Sequence, residues 1–95
     1  MPAYVIVEVE ITDPGAYEEY RRRVPATLEA FGGRFLVRGG KTVTLEGGWQ
    51  PERIVVLQFD SLERAQEWWH SEDYSAIKEI RYRNARSRMV AVEGV

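Results

Sequence analysis

The sequence predicts a small α+β fold in which helices cover one face of an antiparallel sheet. Two observations carry this prediction. Apolar and polar residues alternate with a period of two near the start of the chain and in its middle, as in half-buried strands. Between these stretches, apolar residues recur at spacings of three and four, as in amphipathic helices. The predicted order is β-α-β-β-α-β with one extra small hairpin, and the 95 residues support one domain, 1–95.

The N-terminal third of the chain predicts one strand followed by one helix. The strand runs from Tyr4 to Ile11, and one of its faces carries Val5, Val7, Val9 and Ile11. Asp13 and Pro14 then supply an N-cap and a proline at the first helical position. The apolar face of the helix consists of Tyr17, Tyr20, Val24, Leu28 and Phe31. Pro25 lies inside this helix and removes a backbone hydrogen bond, so we expect a kink or break there.

Glycine pairs divide the middle of the chain into strands. Gly32-Gly33 and Gly39-Gly40 bracket a short strand that contains Phe35, Leu36 and Val37. A further strand is predicted from Lys41 to Glu46, where Val43 and Leu45 alternate with polar neighbours and Gly47-Gly48 closes the pattern. A longer apolar strand is predicted from Arg53 to Phe59.

The C-terminal half predicts two helical segments and a closing strand. Asp60 or Ser61 caps a helix whose apolar positions are Leu62, Ala65, Trp68 and Trp69. The pattern halts at His70-Ser71, where Ser71 caps a new segment that carries Tyr74, Ile77 and Ile80. A basic stretch follows from Arg81 to Arg88, which we expect to be solvated or to lie at a dimer edge. Met89 to Val92 then forms the last strand.

This order is typical of a ferredoxin-like fold, in which both helices pack on one sheet face and the other face stays open. The open face would carry Ile6, Leu36, Ile54 and Val56. A contiguous exposed apolar patch usually marks an interface, so we expect a homodimer in which two sheets stack face to face. Glu8, Arg38 and Gln58 would enter the cavity between the sheets as polar groups on an apolar wall. Small-molecule sites are built in this way.

Three stretches of the chain form a distinctive set: residues 32–40, Trp49 to Arg53 with the apolar strand after it, and Ala65 to Tyr74. Together they resemble the family grouped as domain of unknown function 1330, within the dimeric α+β barrel superfamily, and the resemblance covers nearly the whole chain. It implies a homodimer with a barrel-like sheet interior. The wider superfamily includes cofactor-free monooxygenases, lactone isomerases and haem-binding proteins. The family usually carries an Asn-like polar residue where His70 stands.

For such a homodimer we expect a small-molecule pocket between the sheet and the helices, and two classes of function stay open. In an enzyme of the monooxygenase or isomerase type, Arg38 would stabilise an anionic oxygen, and Glu8 or His70 would move a proton. Trp69 and Tyr74 would then wall an apolar substrate. In a non-enzymatic ligand-binding or structural protein, the same residues would form the pocket and the dimer without turnover. Arg38 would instead pair with Glu8 or Glu10, and His70 would be an exposed helix-end residue.

Several other classes are disfavoured by composition. The chain has no cysteine and one histidine, so we expect no metal site and no haem or other cofactor. A net charge of −2 argues against nucleic-acid binding, as does the lack of aromatic residues from Ile54 to Gln58. No apolar run approaches the roughly 18 residues that span a bilayer. We therefore expect a cytoplasmic protein without a membrane partner.

Overall fold

The computed structural model describes residues 1–95 as a four-stranded antiparallel sheet with three helices on one face. The strand order across the sheet is β2-β3-β1-β4, as expected of a ferredoxin-like α+β fold. The elements in chain order are β1 Ala3–Ile11, α1 Pro14–Glu29, β2 Arg34–Arg38, β3 Ile54–Phe59, α2 Leu62–His70, α3 Glu72–Asn84 and β4 Ala85–Glu93. None of the three helices has the length and apolar character of a membrane-spanning segment.

The predicted helix starts are confirmed by their capping hydrogen bonds. The side chain of Asp13 accepts a hydrogen bond from the main-chain N–H of Ala16 at 3.2 Å. Ser61, rather than Asp60, caps α2, and Ser71 caps α3. The break expected at Pro25 does not occur, because α1 continues to Glu29.

The extra strand predicted from Lys41 to Glu46 is wrong. Residues 39–53 form a loop, in which the side chains of Val43 and Leu45 are 73% and 92% exposed. Although apolar and polar residues alternate in this stretch, it does not pair with a neighbouring strand. Gly39 at one end of the loop, and Gly47 and Gly48 within it, adopt positive φ angles that favour glycine.

The last strand is longer than predicted. β4 begins at Ala85 rather than Met89, and it pairs with β1 from Ala3↔Glu93 to Ile11↔Ala85. The basic stretch is therefore divided between two elements: Arg81 and Arg83 lie in the last turn of α3, whereas Arg86 and Arg88 lie in β4. Arg86 and Arg88 stand opposite Glu10 and Glu8 on β1, so each cation faces a carboxylate.

The core lies between the sheet and the helices. Val5, Val7 and Val9 of β1 and Leu57 and Phe59 of β3 point toward the helices and are buried. The ring of Trp68 packs 4.0 Å from that of Tyr74 and 5.5 Å from that of Phe59, measured between centroids. The indole N–H of Trp68 also donates to the hydroxyl of Thr27 at 3.0 Å, which fixes α2 against α1.

The opposite side of the sheet, here called the open face, is uncovered and largely apolar. A β-bulge between Phe35 and Val37 places Val37 opposite Val56 on this face. The exposed large apolar residues on its strands are Ile6, Leu36, Val37, Val90 and Val92. Such a patch is typical of an interface.

Candidate ligand-binding site

A cavity of about 30 Å³ lies between the helix-facing side of the sheet and the helices. That volume holds about two water-sized groups. Four arginines line the cavity, Arg21, Arg38, Arg53 and Arg81, together with Tyr17 and Tyr20. Arg21 pairs with Glu18, whereas the other three make no ion pair. No carboxylate is among the lining residues, so the cavity has excess positive charge.

Arg81 supplies the deepest of these charges. It lies in the last turn of α3 and is only 4% exposed. Its Nη1 donates to the hydroxyl of Ser87, but its Nε is buried and has no hydrogen-bond partner. Buried charges in proteins are normally paired with a counter-charge. The Nε–H group of Arg81 is therefore available to donate a hydrogen bond to a molecule in the cavity.

Arg53, the residue before β3, has a similar environment. Its Nε is also buried without a partner. Gly39 makes room for it, because a Cβ atom at Gly39 would lie 2.6 Å from Cζ of Arg53. Gly39 also has a φ angle of +74° and donates its N–H to the carbonyl of Ile54 at 2.9 Å. Gly39, directly after β2, thus leaves the space that the guanidinium group of Arg53 occupies just before β3.

Arg38 lies at the exposed mouth of the cavity. The bulge in β2 aligns it with Val55, whose side chain lines the same cavity. Its guanidinium group lies 4.2 Å from the ring centroid of Phe35, and its Nη2 donates to the main-chain carbonyl of Arg21 at 2.6 Å. Burial and the neighbouring charges of Arg21 and Arg53 lower the pKa of Arg38.

The two tyrosines keep their protons at neutral pH. Burial raises the pKa of Tyr20, and the neighbouring Tyr74 raises it further. The hydroxyls of Tyr20 and Tyr74 are joined by a hydrogen bond of 2.7 Å. Burial also raises the pKa of Tyr17, although Arg53 and Arg81 partly oppose the shift. Both residues are therefore neutral phenols that can donate or accept hydrogen bonds.

Glu8 and Gln58 lie on the open face, on the other side of the sheet from Arg38. Glu8 accepts hydrogen bonds from Trp49 Nε1 and from Arg88 Nε, each at 3.0 Å. These two bonds lower the pKa of Glu8. Gln58 accepts a hydrogen bond from Arg34 at 3.0 Å. The expectation that all three residues share a cavity between sheets is wrong for Arg38, because the bulge turns it toward the helices.

Arg38 makes no ion pair with Glu8 or Glu10. Those carboxylates pair with Arg88 and Arg86 across β1 and β4. The cavity beside Arg38 is walled by Tyr17, Tyr20 and Trp68, not by Trp69 or Tyr74 as predicted. Tyr74 is fully buried in the core, where Trp68 covers it.

Trp69 and His70 line a second cavity, of about 210 Å³, between α2 and the sheet. Its other lining residues are Val5, Ala65, Gln66, Trp68, Met89 and Ala91. Trp69 is half-buried, and the ammonium group of Lys78 lies 3.3 Å from its ring centroid. His70 is exposed and meets Trp69 edge to face at 5.0 Å between centroids. No cluster of three or more His, Asp and Glu side chains is arranged to hold a metal ion.

Sequence reasoning missed Arg53, Arg81, Tyr17 and Tyr20 as site residues. One signal for Arg81 was present, since it follows Ile77 by four positions and Tyr74 by seven. Those spacings place Arg81 on the buried stripe of α3. Arg53 carried no comparable signal, because its position depends on the empty space at Gly39, which is close only in the folded chain.

Solved structures share this fold over nearly the whole chain. A protein of unknown function from Rhodopseudomonas palustris superposes with a TM-score of 0.77 at 18% identity, covering 99% of this chain and 82% of that one. SnoaB, a cofactor-independent oxygenase from Streptomyces nogalater, gives a TM-score of 0.71 at 9% identity, with coverages of 99% and 93%. A dimeric protein of unknown function and ferredoxin-like fold from Bacteroides fragilis gives 0.59 at 14% identity, with coverages of 98% and 96%.

At these identities the structural likeness shows the fold alone. No curated protein matches the chain with significant similarity. The family model described as domain of unknown function (DUF1330) matches residues 2–95, which is nearly the full sequence. The chain therefore belongs to the DUF1330 family.

Proposed function

We propose that this protein binds a small anionic molecule in the cavity lined by Arg38, Arg53 and Arg81. The proposal rests on two buried guanidinium Nε atoms, those of Arg53 and Arg81, which have no hydrogen-bond partner. None of the three arginines makes an ion pair within the chain. A bound anion would accept hydrogen bonds from these Nε–H groups and would balance the positive charge of the arginines.

A carboxylate or enolate group is the anion that fits best. The cavity has space for about two water-sized groups, and a carboxylate presents two oxygen atoms of that size. Guanidinium forks bind planar oxygen pairs through parallel hydrogen bonds. Tyr17 and Tyr20, as neutral phenols, can add a donor to the same oxygen atoms.

Binding without turnover is the version that the site supports best. The lining contains no His, Asp or Glu that could take a proton near neutral pH. A cofactor-free enzyme is the second candidate, favoured by phenols beside cationic groups that could stabilise an anionic oxygen. In that version the tyrosines and arginines, rather than Glu8 or His70, would be nearest to the reacting atoms.

We also propose that the protein is a homodimer formed through the open face. Ile6, Val37, Val90 and Val92 are exposed there in the isolated chain. Stacking two such faces would remove this apolar surface from water, which is the main driving force for association. The Bacteroides fragilis protein of the same fold is described as dimeric, which supports the proposal.

The anion proposal is tested with acetate and its neutral isostere acetamide, titrated at constant ionic strength and followed by NMR. We expect acetate to bind and acetamide not to bind. Arg81→Met should weaken acetate binding at least about tenfold, because it removes one charged donor pair. Arg83→Met, on the exposed side of the same helix, is the matched control. Equal binding of acetate and acetamide, or unchanged acetate affinity in Arg81→Met, would contradict the proposal.

A further inference from the structure

The arginine-lined cavity and the larger cavity beside Trp69 adjoin each other, because Trp68 and Met89 line both of them. We infer that the two cavities form one binding site for an amphiphilic carboxylate. Its anionic head lies among the arginines, and its apolar body lies in the second cavity. This inference rests on the proposed anion binding and adds the class of molecule that the site accepts.

The sheet register places the two cavities side by side along β1 and β4. Val9 and Val7 line the arginine cavity, whereas Val5 lines the second cavity. Across the ladder, Met89 stands opposite Val7, and Ala91 stands opposite Val5. Met89 therefore lies at the boundary. Adjacent inner positions on a strand are about 7 Å apart, so a spacer of a few methylene groups joins the two cavities.

Met89 is the movable part of this boundary. Trp68 is fixed by its hydrogen bond to Thr27 and by its packing on Tyr74. Met89 is half-buried on an edge strand, and a methionine side chain is unbranched, with three rotatable bonds. The passage between the two cavities therefore requires a change of rotamer at Met89, which packs at the edge of the core.

The second cavity suits an apolar group. Its wall is mostly hydrocarbon and aromatic, and it includes Val5, Ala65, Trp69 and Ala91. Its volume of about 210 Å³ exceeds the roughly 150 Å³ of an apolar cavity that accommodates benzene. One aromatic ring or a short branched chain therefore fits, which makes an arylalkanoate the best-matched probe.

The test compares the wild-type affinities of acetate, 4-phenylbutyrate and the neutral 4-phenylbutanol. We expect 4-phenylbutyrate to bind at least about tenfold more tightly than acetate, because its ring becomes buried. Ala91→Phe fills the second cavity from the sheet edge and should remove this gain. Ala76→Phe, at an exposed position on α3, is the control.

Met89 gives a second readout that needs no variant. The chain has two methionines, Met1 and Met89, so methyl-labelled protein gives two assignable signals. The Met89 methyl signal should shift further with 4-phenylbutyrate than with acetate, because Met89 lines both cavities and only the longer ligand passes between them. Equal affinities for acetate and 4-phenylbutyrate, a gain that survives in Ala91→Phe, or equally tight 4-phenylbutanol binding would overturn the two-cavity inference while anion binding stands. Failure of acetate and 4-phenylbutyrate alike to bind would overturn both proposals.

Discussion

Arg38 donates a hydrogen bond to the main-chain carbonyl of Arg21 across the gap between β2 and α1. That carbonyl lies four residues before Pro25, whose ring nitrogen has no hydrogen to offer it. The guanidinium group thus gives this carbonyl the hydrogen-bond donor that Pro25 lacks. Arg38 connects the strand that carries it to the helix that covers the cavity, and this bond compensates for the hydrogen bond that Pro25 removes from α1.

Replacing Arg38 with Met should lower the free energy of unfolding by about 1 kcal/mol, the typical value of one net hydrogen bond. In a Pro25→Ala background the loss should be smaller, because the substituted alanine would donate its own N–H to the Arg21 carbonyl. Urea denaturation of the two single variants and the double variant measures the coupling. Arg22→Met is the control for a lost surface charge. Additive effects of the two substitutions would show that Arg38 does not compensate for Pro25.

Gly39→Ala should abolish acetate binding, because the new Cβ atom would overlap the guanidinium group of Arg53. Gly47→Ala is a matched control, since Gly47 also has a positive φ angle but a Cβ atom added there would meet no other atom within 4 Å. Both substitutions should cost about 1 to 2 kcal/mol of backbone strain, measured by urea denaturation. Similar acetate affinities in the two variants would show that Gly39 does not position Arg53.

The hydrogen bond from Trp49 to Glu8 should depend on pH. Hydrogen bonds from Trp49 and Arg88 lower the pKa of Glu8 below its ordinary 4.5. The ionised Glu8 carboxylate therefore contributes to stability in full above the pKa that Glu8 has in the unfolded chain. This contribution is lost as the pH falls through the lower pKa that Glu8 has in the folded protein. The indole N–H signal of Trp49 in an NMR titration should shift with a midpoint below 4.5. The shift should be absent in Glu8→Gln, and a midpoint at or above the ordinary value would refute this arrangement.

Val56→Lys should dissociate the proposed homodimer or unfold it, because it places a charge at the centre of the open face. Sedimentation at micromolar concentration should show a dimer for the wild type and a smaller or unfolded species for the variant. A stable dimer should bury about 1,200 to 2,000 Å² in total. Ala76→Lys, on α3 and away from that face, should remain dimeric. A wild-type monomer at micromolar concentration would end the proposal.

The elements that depend on local signals could be predicted from the sequence. The period of two in β1 and the capping residues Asp13 and Ser71 act within a few residues of chain, so they appear in the sequence itself. The strand predicted around Val43 failed because a strand also needs a pairing partner, which only the folded chain supplies. The start of β4 at Ala85 was obscured by the charges of Arg86 and Arg88.

The candidate site was harder to predict, because it depends on relationships across elements. A single bulged residue in β2 decides which sheet face Arg38 joins, and nothing in residues 34–38 marks that bulge. Arg81 was interpreted as a solvated basic residue because arginine is rarely buried. Its burial follows from its position on the apolar stripe of α3.

The most direct test of the central claim is to observe the Nε–H signals of Arg53 and Arg81 by NMR while acetate is added at constant ionic strength. We predict that both signals shift with one common saturation curve, that the Nε–H of exposed Arg83 stays unchanged, and that acetamide produces no shift. Unchanged Arg53 and Arg81 signals at saturating acetate, or shifts no larger than that of Arg83, would contradict anion binding in this cavity.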